Sequence, residues 1–156
     1  MKKILIIEDD KKIAAALEIR LRGAGYDVAT VSDCLTGLTS AVETRPDLII
    51  SDIWLPDAVG LLIAERLKTV GCGETPVIFI TASKKHDLWK LAQEAGAAAF
   101  FEKPYDSDKL LNAISCALEQ PPTIQSPIDS EPSLVDWPPA TSANSNPRKH
   151  EKHINR

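Results

Sequence analysis

The sequence predicts an α/β fold: a doubly wound, five-stranded parallel sheet with five helices on its faces. Three observations predict it. Short apolar runs recur along the chain, and between them lie segments whose apolar residues repeat at helical spacing. Each run and the segment after it have about the length of one βα unit, and right-handed crossovers then give a parallel sheet covered on both sides. Finally, the runs end in polar residues, led by Asp52 after Leu48-Ile49-Ile50.

The elements follow in order. Lys3 to Ile7 reads as a buried strand and ends in Glu8, Asp9 and Asp10. Ile13, Ala16, Leu17 and Leu21 mark a helix, with Gly23 and Gly25 as stop signals. Tyr26 to Val31 alternates as a strand, and Ser32 or Asp33 can cap the next helix. That helix carries Leu35, Leu38 and Val42 and stops before Pro46. The central strand, Leu48 to Ile50, is bounded by Pro46 and Pro56. The third helix spans Leu61 to Val70, with Leu62, Ile63 and Leu67 on one face and Gly71-Cys72-Gly73 closing it. Pro76 to Ile80 is a strand ending at Thr81-Ala82-Ser83. Asp87 to Ala95 is a helix with Leu88, Leu91 and Ala92, and the polar neighbours of Trp89 predict partial exposure for it. Ala98 to Phe101 is the last strand, followed by Glu102-Lys103-Pro104, and Asp106 to Leu118 is a helix with Leu110, Leu111, Ile114 and Leu118 inward. Every strand is short enough to be covered completely.

Composition bounds the function. At 156 residues the chain has room for one ordinary domain, and its 44% hydrophobic and 26% charged residues are normal for a globular protein. A net charge of −4 gives no sign of a general nucleic-acid or anionic-membrane binder, and no helix-turn-helix pattern is present. No signal peptide or long apolar span is visible. Cys34, Cys72 and Cys116 are odd in number and scattered, so a reducing cytoplasm is expected and neither disulfides nor zinc. Residues 1–120 are expected to form the domain. Residues 121–156 hold seven of the eleven prolines, are rich in Ser, and lack an apolar period, so a disordered tail or linker is expected there. His150 and His153 belong to its basic end, where a solvated tail is preferred to a metal site.

Parallel strands bring their carboxyl ends to one edge, where open α/β sheets bind ligands. That edge collects Glu8, Asp9 and Asp10, then Asp52, Thr81 and Lys103. Clustered carboxylates repel one another unless a cation joins them, and a hard divalent ion such as Mg2+ suits oxygen ligands. A lysine ammonium and a threonine hydroxyl can then hold two oxygens of an incoming phosphoryl group. Asp52 would be the nucleophile that forms an acyl phosphate.

Taken in order, Ile-Ile-Glu-Asp-Asp, Asp-Ile-Trp-Leu-Pro with Gly60 beyond, Thr-Ala-Ser, and Phe-Phe-Glu-Lys-Pro resemble the receiver domain of two-component response regulators. The resemblance covers Lys2 to about Gln120. It implies the flavodoxin-like strand order 2-1-3-4-5 seen in the chemotaxis receivers. It implies Asp52 as phosphoacceptor, and Mg2+ held by Asp9 directly, by Glu8 through water, by Asp52 and by the backbone carbonyl of Trp54. Thr81 and Lys103 would read the phosphate, and Phe100 holds the place of the switch aromatic that turns inward on activation. Asp10 is left out of the ligand set, and Ser83 and Tyr105 are given no catalytic role. Trp54 and Ser83 are expected to border the path of a hydrolytic water. One departure is the run Ala58-Val59-Gly60, where the family often has an acid before the glycine.

The function expected is that of a signalling switch that catalyses only its own phosphorylation and dephosphorylation. Its phosphate would come from a histidine kinase or phosphotransfer protein. The fourth and fifth helices would change partner binding, with an unknown output protein and neither nucleic acid nor membrane as a direct partner. The rival readings are a docking module that has lost the chemistry, and an aspartyl-phosphate hydrolase. The first is disfavoured by the intact residue set. The second needs a general acid beside Asp52, where Trp54 cannot serve.

Overall fold

A β-branched apolar run has no polar side chain to offer water, so it forms a strand only where both faces are covered. The run Lys3–Ile7 becomes β1 in this way, with every residue after Lys3 buried. The computed structural model describes residues 1–85 and 87–119. The other elements are α1 (Lys11–Gly23), β2 (Asp27–Val31), α2 (Cys34–Thr44), β3 (Leu48–Asp52), α3 (Leu61–Thr69), β4 (Val77–Thr81), α4 (Leu88–Glu94), β5 (Ala99–Glu102) and α5 (Ser107–Glu119). The expectations for residues 121–156, including His150 and His153, lie outside the described residues.

The strands form one sheet in the order β2-β1-β3-β4-β5, and every pairing is parallel. This is the expected flavodoxin-like order. Ile4 lies between Val28 and Leu48, and Ile78 lies between Ile50 and Ala99, so the strand centres are in step across the sheet. The two-residue period of the strands divides the core into two layers. Leu5, Ile7, Ile49, Phe79 and Phe100 pack against α2, α3 and α4. Ile4, Ile6, Ile50, Ile78 and Phe101 pack against α1 and α5. Each fully buried side chain of this size contributes about 1.5–3 kcal/mol.

Helix ends follow the sequence. Asp10 caps α1 through Oδ1, which accepts the amides of Lys12 and Ile13. Asp33, rather than Ser32, caps α2 by accepting the Thr36 amide.

The helix faces depart from expectation. In α2 the buried residues are Cys34, Gly37 and Ala41, while Leu35 is 68% exposed and Val42 lies open. The helix sits so low on β1 that a Cβ on Gly37 would overlap Ile7 Cδ1. Only small side chains fit that seam, so the larger apolar ones turn away. Ala14 replaces Ala16 on the buried face of α1, and Leu62 and Leu91 are exposed where burial was expected. β2 is likewise not covered: only Val28 is buried, because the strand forms the sheet edge. Trp89 is partly buried, as its polar neighbours predict.

Candidate functional site

The residue that follows β1 is Glu8, whose amide still donates to Val31 O at 3.0 Å and so extends the ladder toward β2. This holds the Glu8 side chain inward, 5% exposed. Asp52 ends β3, the strand beside β1, and is also buried. Asp9 stands at the surface. Glu8, Asp9 and Asp52 each offer an oxygen, and the three oxygens lie within 4.8 Å of one another.

Among the described residues, Lys103 reaches into this cluster. Lys103 follows β5, and its amide donates to Thr81 O at 2.8 Å, which fixes the start of its side chain beside β4. Its Nζ donates to Glu8 Oε2 at 2.9 Å and to Asp52 Oδ2 at 3.2 Å. A single ammonium therefore serves two buried carboxylates, with Asp9 close by. Burial pushes the Glu8 carboxyl above its ordinary range, against the opposing bonds from Lys103 and the Asp10 amide, and the charge of Asp52 raises it further. Burial alone would lower the Lys103 ammonium, but its bond to Glu8 and the charges of Asp52 and Glu8 outweigh that and hold it above the usual lysine value. Lys103 thus stays charged, one ammonium among three carboxyl groups. Its donor set is all oxygen, hard and anionic, which fits a divalent ion such as Mg2+.

The remaining strand-end residues surround this group. Thr81 ends β4, fully buried, and its Oγ1 accepts the Ser83 amide at 3.1 Å. Its carbonyl bond to Lys103 makes it the next neighbour along the edge. Asp10 lies outside the cluster because its carboxylate is engaged at the start of α1. Phe100 is in the core layer below, paired in register with Phe79.

Trp54 begins the β3–α3 loop. Its amide donates to Asp52 Oδ1 at 3.0 Å, and its main chain bridges to Val59. The indole is 44% exposed, and the Lys85 ammonium lies 5.0 Å from its ring centroid. The loop returns to β3 at Gly60, whose amide donates to Ile53 O at 2.6 Å. A Cβ at Gly60 would overlap the Asp52 carbonyl oxygen, so the approach requires glycine. The structure therefore places Glu8, Asp9, Asp52, Thr81 and Lys103 at one edge, with Trp54 alongside.

Two neighbours were missed. Nothing in the sequence singles out Lys85 as a neighbour of Trp54. Asp57 was not singled out, yet its carboxylate accepts the amides of Cys34 at 2.8 Å and Leu35 at 3.0 Å. Those two bonds hold the exposed Asp57 carboxyl below the usual range. Neither contact follows a local period, so no sequence signal could have found it.

Comparison with known proteins bears on this arrangement. Residues 4–115 match the family described as the response regulator receiver domain. The chain is 33% identical over 121 residues to the DNA-binding dual master transcriptional regulator RpaA of Synechocystis sp., covering 77% of this chain and 50% of that protein. It is 35% identical over 117 residues to the uncharacterized transcriptional regulatory protein YkoG of Bacillus subtilis, covering 75% and 51%. The chain spans about half the length of the curated relatives it matches. Among solved structures, a response regulator from Chloroflexus aurantiacus superposes with a TM-score of 0.72 at 28% identity, covering 76% of this chain and 98% of that one. The Vibrio cholerae chemotaxis protein CheY4 gives 0.70 at 27% identity, covering 76% and 99%.

Proposed function

Because the chain belongs to the response regulator receiver domain family, we propose that it accepts a phosphoryl group on Asp52 and that this changes what its surface binds. Receivers of this family are signalling switches of two-component systems. The observation that carries the proposal is the shared ammonium: Lys103 bonds both Glu8 and Asp52 at the carboxyl edge of the sheet.

The chemistry assigned to each residue follows from its place. A carboxylate oxygen of Asp52 attacks the phosphorus of a phosphohistidine, and the bond from phosphorus to the imidazole breaks. The donor is a histidine kinase or phosphotransfer protein. Glu8, Asp9, Asp52 and the Trp54 main-chain carbonyl would hold Mg2+, which when bound offsets the charge of the carboxylates and of the phosphoryl oxygens. Lys103 gives up its bond to Asp52 Oδ2 and turns to a phosphoryl oxygen. Thr81 gives its hydroxyl to another. That movement at Thr81 reaches Phe100 through the paired strands β4 and β5.

The output surface proposed is the one formed by α4 and α5. Beside the start of α5, a cleft of about 330 Å3 is lined by β5 and the loop after it, including Phe100, Glu102, Pro104, Tyr105 and Lys109, and Pro104 directly follows Lys103. A local electrostatic event then has a distant reader. Trp54, with Lys85 over its ring, is assigned a screening role that prolongs the phosphorylated state. The cytoplasm is the proposed compartment. The free cysteines Cys34, Cys72 and Cys116 agree with it, and among the described residues no helix is long and apolar enough to cross a membrane.

The test is the intact mass of the full chain after incubation with acetyl phosphate and Mg2+. One phosphoryl mass is expected, with none after EDTA treatment or in Asp52→Asn. Equal labelling of Asp52→Asn would overturn the assignment.

A further inference from the structure

The loop between β3 and α3 is held at its base and, separately, at its tip. At the base, Trp54 N donates to Asp52 Oδ1, and Gly60 N donates to Ile53 O. The Trp54–Val59 bridge and the bond from Leu55 N to Ala58 O at 3.2 Å close the turn. Asp57 stands at its tip and reaches across to a different element. Its two carboxylate oxygens accept the Cys34 and Leu35 amides, the first two of α2.

A helix start leaves about four amides without intrahelical partners, and one local cap is the ordinary remedy. α2 already has that cap in Asp33. The second carboxylate comes from a residue 23 positions beyond Cys34. What it grips is a firm body, because Cys34 is fully buried and Gly37 seats the helix directly on Ile7 of β1. β1 in turn carries Glu8 and Asp9 at its end. The tip of the loop is therefore referenced to the same strand that presents two of the site's acids.

We propose that Asp57 is a positioning residue for the divalent cation: by tying the loop tip to α2 it fixes the Trp54 carbonyl at the distance from Glu8 and Asp9 that Mg2+ requires. This rests on the reading of Glu8, Asp9, Asp52 and the Trp54 carbonyl as the metal site. Side chains are one part of that ligand set, and the carbonyl is the part whose position depends on the β3–α3 loop. Mg2+ demands near-octahedral ligands at about 2.0–2.1 Å, whereas Ca2+ accepts varied geometry at about 2.3–2.6 Å. Releasing the loop should therefore cost Mg2+ more than Ca2+. A residue that only stabilised α2 would produce no such difference between the ions.

The experiment titrates the full chain with MgCl2 and, separately, CaCl2, following backbone amide shifts by NMR. Wild type, Asp57→Ala and Asp57→Asn are compared. Asp57→Ala should bind Mg2+ about tenfold more weakly, the scale of losing a residue that orients a ligand, with Ca2+ affinity nearly unchanged. Asp57→Asn keeps one acceptor oxygen and should fall between. α2 retains its Asp33 cap, so both variants should fold, and the same spectra report it. Unchanged Mg2+ affinity in both variants would overturn the proposal, as would equal losses for Mg2+ and Ca2+. Absence of Mg2+ binding by the wild-type chain would instead overturn the metal site itself, and this inference with it.

Discussion

Halfway along β1, β3 and β4 the sheet buries only apolar side chains; at their carboxyl ends it buries charge. Ile6, Ile49, Ile50 and Ile78 are at most 1% exposed and belong to the two apolar core layers. The buried polar side chains among the described residues are Glu8, Ser51, Asp52 and Thr81, and all stand at or next to the ends of β1, β3 and β4. The two regions share strands, twist and helix cover, so the difference is chemical. The middle gains free energy from removing apolar surface from water. The edge spends some of it, because a buried ion pair seldom repays its own desolvation. A fold under pressure for stability alone would have filled the edge with apolar residues too. That it keeps two buried carboxylates on one ammonium, with Asp9 beside them, is what the proposed metal site requires.

Substitutions at the two levels should therefore fail in different ways. The largest loss of stability is expected from the middle. Ile50→Ala opens a cavity between β3 and the α1–α5 layer and should cost about 2–5 kcal/mol in chemical denaturation. Its folded fraction should phosphorylate normally. A loss under about 1 kcal/mol would mean that the middle is less firmly packed than its burial indicates.

At the edge, Lys103→Ala removes the shared cation. The variant should keep a cooperative thermal transition while losing the spectral change that accompanies phosphorylation. A full response in Lys103→Ala would remove that residue from the relay. The smallest effect is expected at the rim, where Trp54→Asn should speed decay of the phosphorylated chain several-fold. Asparagine admits and orients water, while the indole has only a donor. Decay is read by intact mass after the donor is removed. Equal or slower decay would show that the indole and Lys85 do not screen the phosphoryl group.

The same contrast decides what was legible in the sequence. Strand interiors could be read directly, because an apolar run between prolines and glycines has few other solutions. The edge could be read too, because motifs such as Phe-Phe-Glu-Lys-Pro put each polar residue at or just past the end of its strand. Helix faces were read less well. Leu35 and Val42 have the hydrophobicity for burial, but the space under α2 admits only Gly37 and its small neighbours. Hydrophobicity states a preference; the gap between helix and sheet, set by Ile7, decides which residue fills it. Contacts between loops were not legible at all. Asp57 meets Cys34 and Leu35, and Lys85 meets Trp54, across separations that no helical or strand period links.

The central claim, that the edge is kept for a ligand at the expense of stability, is tested most directly by the thermal transition of wild type and Asp52→Asn with and without Mg2+. Without metal, Asp52→Asn should melt at or above wild type, since a neutral amide relieves the crowding of carboxylates while still accepting from Lys103. Mg2+ at ten times its Kd should then add about 1.4 kcal/mol to wild type and much less to the variant. A variant that melts well below wild type without metal, or gains as much from Mg2+, would show that Asp52 serves the fold rather than the ligand.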